Sequence, residues 1–422
     1  MMRETSRCLL CLVSVFVVLS MYVYADDFYL KDGETVVFFG DSITQAGIYV
    51  QYVDTFLSTR FPEKSFIVIN RGKSSETVAG TSEKDHDPPR PNAHDRFTRD
   101  IPPLEPDVVV SCFGMNDGNY HPFDPALFAK YRSGIHKLIH RVRHEAKARP
   151  VILTPAPYDA YSRRASDPDA VEYGYKFPAV GYDNVMGRYS GWLCSLRSPE
   201  LPVVDIHSKL NQYLNERRKQ EVSYSFSPDG VHPNATGHWL MAQTLLEAWN
   251  APAECAELVV NLETMEIEKG ETGTVIRKSG EGISFDWITP LPMPIDPAWD
   301  QDMLEIARTR QILNRYRMRI TGLTAEKYML MADKKKIATV TKEQLENGID
   351  LLDYPEFPTV SEATKVLDLV KERHNILYRA WRATINDDGR PDPEAKKKAD
   401  RLKEEIREHC KPRAVTIKIL WL

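Results

Sequence analysis

Between Thr35 and Trp249 the sequence repeats one pattern, in which a short continuous apolar run is followed by a stretch of helical period. The runs do not alternate with polar residues, which is typical of parallel strands covered by helices on both faces. Five runs fit this description: Thr35–Phe39, Phe66–Ile69, Val108–Cys112, Val151–Leu153 and Val203–Ile206. Helix starts are marked by Asp124 with Pro125, and by Asn234. We therefore predict a doubly wound α/β domain built from βα repeats.

Beyond Pro252 the pattern changes to short alternating runs separated by glycines, which is typical of antiparallel sheet. Strands are predicted at Leu258–Asn261, Thr274–Arg277, Ile283–Trp287, Tyr316–Thr321 and Tyr328–Met331. A capping box from Thr359 to Glu362 predicts a helix start, and a charged helix follows over Pro393–His409. Ala414–Trp421 is predicted to be a closing strand.

The resulting domain prediction has three parts. They are a signal peptide (1–25), an α/β domain (26–252) and an accessory region (253–422) made of a β-rich part (253–355), a helical hairpin (356–411) and the closing strand (414–421). We expect the accessory region to support the fold or orient substrate, without chemistry of its own.

The first residues have the organisation of an export signal. Arg3 and Arg7 precede the apolar run Cys8–Met21, and Val23–Ala25 supplies small residues for cleavage after Ala25. The alternative is an uncleaved anchor, since the run approaches the ~18 residues that span a bilayer. We expect a secreted or periplasmic protein without stable membrane insertion after cleavage.

Charge and cysteine content exclude several other classes of protein. Lys and Arg total 55 against 60 Asp and Glu, and no long basic stripe is present, so no nucleic-acid partner is expected. Four widely spaced cysteines remain after cleavage and form no disulfide framework: Cys112, Cys194, Cys255 and Cys410. The sequence predicts neither their pairing nor an oligomeric state.

A serine follows the first predicted strand directly, in Gly40–Asp41–Ser42. A serine on a strand-to-helix turn is exposed, and its own N–H points toward developing negative charge. Serine is also a common helix cap, so this motif alone leaves both roles open. Open α/β sheets place their sites at the carboxyl ends of strands, which favours a site here.

Three further motifs follow later strands. Asn70–Gly72 offers a glycine N–H that suits an anion, or a tight turn. The amide of Asn116, in Gly114–Asp117, donates to an oxyanion or forms an Asx turn. Asp229 precedes His232 by three residues, which lets its carboxylate accept the Nδ1 proton and leaves Nε2 to face a serine. The alternative for this last pair is a surface turn.

Taken together, the four motifs resemble, in order, the sequence blocks of the SGNH hydrolase family, also called GDSL esterases and lipases. The resemblance covers about residues 33–250. It implies a flavodoxin-like three-layer α/β/α fold with a five-stranded parallel sheet. It also implies hydrolysis of esters or thioesters through an acyl-enzyme, without metal or cofactor.

The resemblance further implies a role for each motif residue. Ser42 is the nucleophile, His232 the general base, and Asp229 the group that orients the imidazole. The oxyanion hole consists of the N–H groups of Ser42 and Gly72 and the amide of Asn116. Four neighbouring residues are predicted as possible substrate-lining groups: Asp41, Asp117, His121 and Tyr158.

Two long inserts distinguish the chain from compact family members. The insert over 81–99 carries Asp85, His86 and His94, for which a zinc site is the alternative; we predict no metal. The insert over 155–183 is polar and rich in tyrosine, which suits a sugar face better than a long acyl chain. We therefore predict O-acyl carbohydrate esters as substrates. The alternatives are a lysophospholipase or thioesterase, and a non-catalytic glycan-binding protein with a vestigial triad.

Overall fold

The computed structural model describes residues 28–162, 172–270, 275–386 and 392–422. The predicted signal peptide and its cleavage site lie outside the described residues, as does the middle of the tyrosine-rich insert. Among the described residues, no helix combines the length and the apolar character needed to cross a membrane.

The N-terminal part is built on one parallel sheet of five strands. The strands are β1 (Thr35–Gly40), β2 (Ile67–Asn70), β3 (Val108–Cys112), β4 (Arg149–Leu153) and β5 (Val203–Val204), in the order β2-β1-β3-β4-β5. Every pair is parallel, which confirms the predicted α/β class and the five-stranded sheet. The last strand ends earlier than predicted, because Asp205 accepts the Ser208 N–H at 3.0 Å and begins a helix.

Helices cover both faces of this sheet, and their starts follow the capping signals. They are α1 (Ser42–Ala46), α2 (Ile48–Arg60), α3 (Ala93–Asp100), α4 (Pro125–His144), α5 (Tyr182–Ser195), α6 (Ile206–Arg218) and α7 (Ala235–Ala248), with a 3-10 helix at Pro102–Leu104. The side chain of Asp124 accepts the N–H groups of Ala126 and Leu127, and that of Asn234 accepts Gly237 N–H. Both predicted helix starts are confirmed.

The C-terminal part contains two sheets and a helical hairpin. Its strands are β6 (Glu254–Asn261), β7 (Glu266–Lys269), β8 (Arg277–Lys278), β9 (Gly282–Ile288), β10 (Arg315–Thr321), β11 (Lys327–Ala332), β12 (Lys335–Thr341), β13 (Ile349–Asp350) and β14 (Ala414–Trp421). Its helices are α8 (Gln301–Ile306), α9 (Thr309–Leu313), α10 (Lys342–Asn347), α11 (Pro358–Asn386) and α12 (Pro393–Cys410), with a 3-10 helix at Leu351–Asp353. The sheet orders are β13-β10-β6-β7 and β12-β11-β14-β9-β8.

Two expectations for this part are corrected. The unit is not wholly antiparallel, because β6 and β10 pair in parallel. The capping box at Thr359 is also wrong, since α11 begins one residue earlier at Pro358. A capping box does occur at Thr341 and Gln344, before α10. The hairpin of α11 and α12 and the closing strand β14 are present as predicted.

The segment between β9 and β10 packs into the core of the N-terminal part. Trp299 stacks on Trp239 of α7 with ring centroids 4.4 Å apart, and lies edge-on to Tyr52 of α2 at 5.1 Å. Met293, Met303 and Leu313 belong to the same buried cluster as the five-stranded sheet. Residues on both sides of position 252 therefore share one hydrophobic core. The division into domains at that position stays a prediction.

Candidate active site

Ser42 is the first residue of α1, at the carboxyl end of β1. The side chain of Asp41 caps this helix by accepting the Ile43 N–H at 3.0 Å. Gly40 makes the turn possible, because a Cβ on it would lie 2.6 Å from the carbonyl oxygen of Cys112 on β3. The tight turn therefore presents the hydroxyl of Ser42 at the edge of the sheet.

The three predicted triad residues form a hydrogen-bonded series with His232 in the middle. His232 Nε2 is 2.8 Å from Ser42 Oγ, and His232 Nδ1 is 2.7 Å from Asp229 Oδ2. Ser42 and His232 are 190 positions apart in sequence, so only the fold brings them together. This is the arrangement in which a histidine removes the serine proton while a carboxylate holds the ring.

Asp229 is held as an anion in this arrangement. Its Oδ1 accepts the N–H groups of Val231 at 2.9 Å and His232 at 2.7 Å, and Tyr175 donates its hydroxyl to Oδ2 at 3.4 Å. Partial burial opposes ionisation, but the bonds from the His232 ring and the two backbone N–H groups outweigh it. They hold the pKa of Asp229 well below its usual range. The carboxylate therefore favours the tautomer of His232 that carries its proton on Nδ1.

A cavity of about 260 Å³ opens at the serine hydroxyl. The described residues that line it are Ser42, Ser74, Ser75, His86, Arg90, Asn116, Tyr120, Tyr175 and His232. None of the nine is aliphatic. Ser75 holds a φ of 64°, a left-handed conformation that non-glycine residues rarely adopt and that clusters at functional sites. The wall of the site is therefore polar, with aromatic faces.

Asn116 is fixed in this wall by two hydrogen bonds. Its Nδ2 donates to the backbone oxygen of Glu76 at 3.1 Å, and its Oδ1 accepts the Tyr120 hydroxyl at 3.1 Å. These bonds determine which way the amide faces, and Nδ2 carries a second N–H as the donor for an oxyanion. The position of Asn116 fits the predicted role.

Gly72 is packed against the serine helix, and its N–H already has an acceptor. A Cβ on Gly72 would lie 2.2 Å from the backbone nitrogen of Gln45, so only glycine fits. Its N–H donates to Asn70 Oδ1 at 2.8 Å. A role in the oxyanion hole requires this N–H to be shared, and it stays a prediction. Gly72 is not among the residues that line the cavity.

The structure does not bring the four predicted substrate-lining residues to the cavity wall. Asp41 is buried beneath the serine as a helix cap, and burial raises its pKa to about 6. Asp117 is buried with Oδ1 accepting the N–H groups of Val78 and Ala79, both at 2.8 Å. These two carboxylates support the backbone around the site.

The other two predicted substrate-lining residues are His121, in the loop before α4, and Tyr158, in the tyrosine-rich insert. His121 is exposed, with Nδ1 3.0 Å from the carbonyl oxygen of Pro122 and its ring edge-on to Tyr173. Tyr158 is buried edge-on against Tyr182. Neither contacts the cavity at Ser42.

The two histidines considered for zinc have different surroundings. His94 is buried, with Nε2 3.1 Å from the carbonyl oxygen of Gly134, whereas His86 lines the cavity with Nδ1 2.7 Å from Pro88 O. Within the described ranges, no three histidine, cysteine or acidic side chains converge as a metal site. Cys112, Cys194, Cys255 and Cys410 are free thiols.

Arg90 is the main site residue that sequence reasoning missed. Its guanidinium forms a bidentate, fully buried ion pair with Glu83, and it lies 5.5 Å from the Tyr120 ring centroid. Glu83 Oε1 also accepts the Tyr175 N–H at 3.2 Å. Glu83 therefore joins the two inserts and holds two cavity-lining residues, Arg90 and Tyr175. The dipeptide Pro89–Arg90 in a polar loop gives no local signal of this burial.

Comparison with known proteins shows similarity to one hydrolase family and to an esterase. The profile of the GDSL-like lipase/acylhydrolase family matches residues 38–240. An acetylxylan esterase from Geobacillus stearothermophilus is 23% identical over 232 residues, which covers 51% of this chain and 94% of that protein. A catalytic mutant of an acetylxylan esterase from the same organism aligns over 53% of this chain and 97% of its own, with 22% identity and a TM-score of 0.40.

One solved structure shares the fold over nearly the whole chain. It is a gut microbial diltiazem-metabolizing enzyme, BT4096, with a TM-score of 0.77 and 21% identity over 93% of this chain and 98% of that one. The C-terminal sheets and hairpin are therefore part of a fold that another protein also has.

The match to this family and the esterase relative indicate that the protein is an ester hydrolase. More narrowly, residues 38–240 match the model of the GDSL-like lipase/acylhydrolase family, to which the sequence motifs also point.

Proposed function

We propose that this ester hydrolase is an exported serine esterase that removes short acyl groups, acetyl foremost, from carbohydrates. The observation that carries the proposal is the hydrogen-bonded series Ser42, His232 and Asp229 at the mouth of a small polar cavity. Separated serine, histidine and aspartate residues rarely meet at 2.7–2.8 Å without a chemical reason.

The proposed reaction follows from these contacts. His232 Nε2 takes the proton of Ser42 as Oγ attacks the acyl carbon, and then passes it to the leaving alkoxide. A water molecule, which gives its proton to His232, then attacks the acyl carbon of the acyl-enzyme. This step releases the carboxylic acid and restores Ser42. Asp229 stabilises the imidazolium that forms twice in each cycle. The oxyanion accepts hydrogen bonds from the N–H of Ser42 and the amide of Asn116. The N–H of Gly72 is the third donor when it is shared with Asn70.

Two features support a short acyl group and a sugar alcohol. The cavity of about 260 Å³ is lined by hydroxyl, amide, guanidinium and aromatic groups, which hydrogen-bond sugar hydroxyls and stack on sugar rings. A long acyl chain gains about 0.8 kcal/mol for each methylene that an apolar wall buries, and this wall is polar. The acetylxylan esterase relative also acts on an acetylated carbohydrate, as its name states.

A substrate series tests the choice of ester. We expect kcat/KM to be highest for acetyl among nitrophenyl esters from acetyl to octanoyl, and to be higher for acetylated xylose or glucose than for a lysophospholipid or an acyl thioester. If kcat/KM instead rises steadily from acetyl to octanoyl esters, a lysophospholipase or thioesterase function is favoured.

The nucleophile is tested by Ser42→Ala. We expect turnover on every accepted ester to vanish, while the free energy of unfolding falls by no more than roughly 1 kcal/mol, the cost of replacing a residue at a helix start. Ser195→Ala, at the end of α5, is the matched control and should keep full activity. Near-normal activity of Ser42→Ala would refute the assignment.

Export is tested separately. When the gene is expressed in a bacterial host, we expect the protein outside the cytoplasm with Asp26 as its first residue. Amino-terminal sequencing of the fractionated protein checks this, and an intact Met1 in the membrane fraction would favour the uncleaved anchor.

A further inference from the structure

The long helix α11 reaches the loop that carries Gly72. Tyr378 donates its hydroxyl to the carbonyl oxygen of Gly72 at 3.0 Å, across 306 positions of sequence. One turn further, the Trp381 ring lies 4.7 Å from the guanidinium of Arg71. The C-terminal hairpin is thus in direct contact with a motif of the hydrolase domain.

A second connection runs from the same helix to Asn116. The guanidinium of Arg96 lies 5.6 Å from the Trp381 ring centroid, and Arg96 pairs with the buried carboxylate of Glu76 at 2.6 Å. Arg96 also donates to the carbonyl oxygen of Arg71 at 2.8 Å. The backbone oxygen of Glu76 in turn accepts the amide of Asn116 at 3.1 Å.

Both connections end at groups proposed to stabilise the oxyanion. The peptide groups on either side of Gly72 are held by their carbonyl oxygens, one by Arg96 and the other by Tyr378. Gly72 also packs so closely on the Thr44–Gln45 backbone that its displacement would move α1, on which Ser42 stands. The loop has little freedom while these contacts are in place.

We infer that Tyr378 and Trp381 are positioning residues, through which the C-terminal helix α11 fixes the oxyanion hole of the hydrolase domain. The inference rests on the proposed serine-esterase function. Donors that stabilise a developing oxyanion act only from within hydrogen-bond distance of its final position, and small displacements are costly. Removing the Tyr378 hydroxyl should therefore weaken binding of the transition state and leave ground-state binding of the ester almost unchanged.

The test compares two variants on the same helix. Tyr378→Phe removes one hydroxyl and should lower kcat for nitrophenyl acetate by about 10- to 100-fold with KM within about twofold. The affinity for a small boronic acid, which forms a tetrahedral adduct on serine, should fall in parallel with kcat. Lys371→Met removes the bond from α11 to Asp296 at 2.7 Å, far from the motif, and should leave kcat and boronate affinity unchanged.

The outcomes separate the inference from the proposed function. If Tyr378→Phe keeps wild-type kcat and boronate affinity, or if Lys371→Met loses as much, the positioning role is wrong. If Ser42→Ala stays active, the proposed function itself fails. Trp381→Phe keeps an aromatic face on Arg71 and Arg96 and should lose less than Trp381→Leu. Thermal midpoints of all variants show whether each is folded at the assay temperature.

Discussion

The ion pair of Arg90 and Glu83 places two buried charges beside the proposed nucleophile. Both side chains are almost inaccessible to solvent, with 2% exposure each, so each charge depends on the other for stabilisation. Burial alone disfavours both charges, yet the pairing raises the pKa of Arg90 and lowers that of Glu83. The cavity wall therefore keeps a fixed cation close to the proposed nucleophile.

Removing one partner of this pair should cost more than removing both. Arg90→Met leaves Glu83 as an unpaired buried charge, and we expect about 3–5 kcal/mol loss in the free energy of unfolding. The double variant Arg90→Met, Glu83→Met should recover much of that loss. Urea unfolding of the three proteins at pH 7 measures it. Equal losses in single and double variants would show that Glu83 is stabilised without Arg90.

Asp117 gives the fold a dependence on pH. Burial raises its pKa from the usual 3.8 to about 7, so between these pH values the folded state holds a proton that the unfolded state has released. Its contribution is therefore complete below about pH 4 and is lost as the pH rises through about 7. Complete loss amounts to no more than about 4 kcal/mol.

Asp117→Asn keeps an oxygen for the N–H groups of Val78 and Ala79 but cannot ionise. We expect the stability difference, variant minus wild type, to increase between pH 4 and pH 7 and to level off above it. Thermal midpoints of both proteins across this range measure the difference. A constant difference would mean that Asp117 is ionised throughout or protonated throughout.

The sequence predicted those site residues whose role depends on local geometry. Asp229 and His232 share one turn, and Ser42 follows its strand directly, so short motifs specify them. Arg90 and Tyr175 reach the cavity only because two loops fold over the same edge and meet at Glu83. The spacing of residues in the sequence carries no information about this contact between the two loops.

At the level of elements, β14 is the strand on which the second sheet depends. It lies in the middle of five strands, paired antiparallel with β9 and β11. Its inward side chains Val415, Ile417 and Ile419 are all buried. A strand formed by the last residues of the chain therefore completes a sheet that begins more than a hundred residues earlier.

The two faces of β14 should respond differently to substitution. Ile417→Ala creates a cavity in the sheet core and should cost about 2–5 kcal/mol of unfolding free energy. Lys418→Ala, on the exposed face of the same strand, should change it by less than about 0.5 kcal/mol. Urea unfolding followed by circular dichroism compares them. Similar values for the two variants would mean that the second sheet contributes little to the measured transition.

Element types were more predictable than strand partners. The parallel strands of the first sheet were recognisable because both faces are buried, which leaves continuous apolar runs. Alternation in β6 and β10 indicated strands equally well, but it carries no information on direction, and the two strands proved parallel. The predicted start of α11 at the Thr359 capping box was wrong, and the helix begins at Pro358. A proline is favoured in the first turn of a helix, so it marked the helix start as well as the capping box did.

On the scale of the whole molecule, the hydrolase domain and the C-terminal region are in contact at more than one place. Arg60 of α2 donates to the carbonyl oxygens of Pro252, Glu254 and Leu313. His374 of α11 lies 2.8 Å from the buried carboxylate of Asp54. Together with the contacts at Gly72, these bonds join the two parts at the end of α2, within α2 and at the Gly72 loop.

This shared structure changes what a truncated chain should do. The acetylxylan esterase relative matches only about half of this chain, so the family's domain exists without the C-terminal region. In this protein, however, Trp239 and Tyr52 are covered by Trp299, and a fragment of residues 26–250 would expose both rings and remove the carbonyl oxygen of Leu313 that Arg60 contacts. Exposed apolar patches of that kind cause association.

We therefore expect the 26–250 fragment to be largely insoluble or to form soluble aggregates on gel filtration. The full chain with Trp299→Ala should elute at the same volume as the wild-type protein and lose about 3–5 kcal/mol in the free energy of unfolding, because only one ring is removed and Arg60 keeps its acceptors. If the fragment is instead soluble, unfolds cooperatively and hydrolyses nitrophenyl acetate as fast as the full chain, then neither Trp299 nor α11 is needed by the hydrolase domain. Because α11 is absent from the fragment, a folded but slow enzyme would point to Tyr378 and Trp381, whereas an unfolded one would point to the shared core.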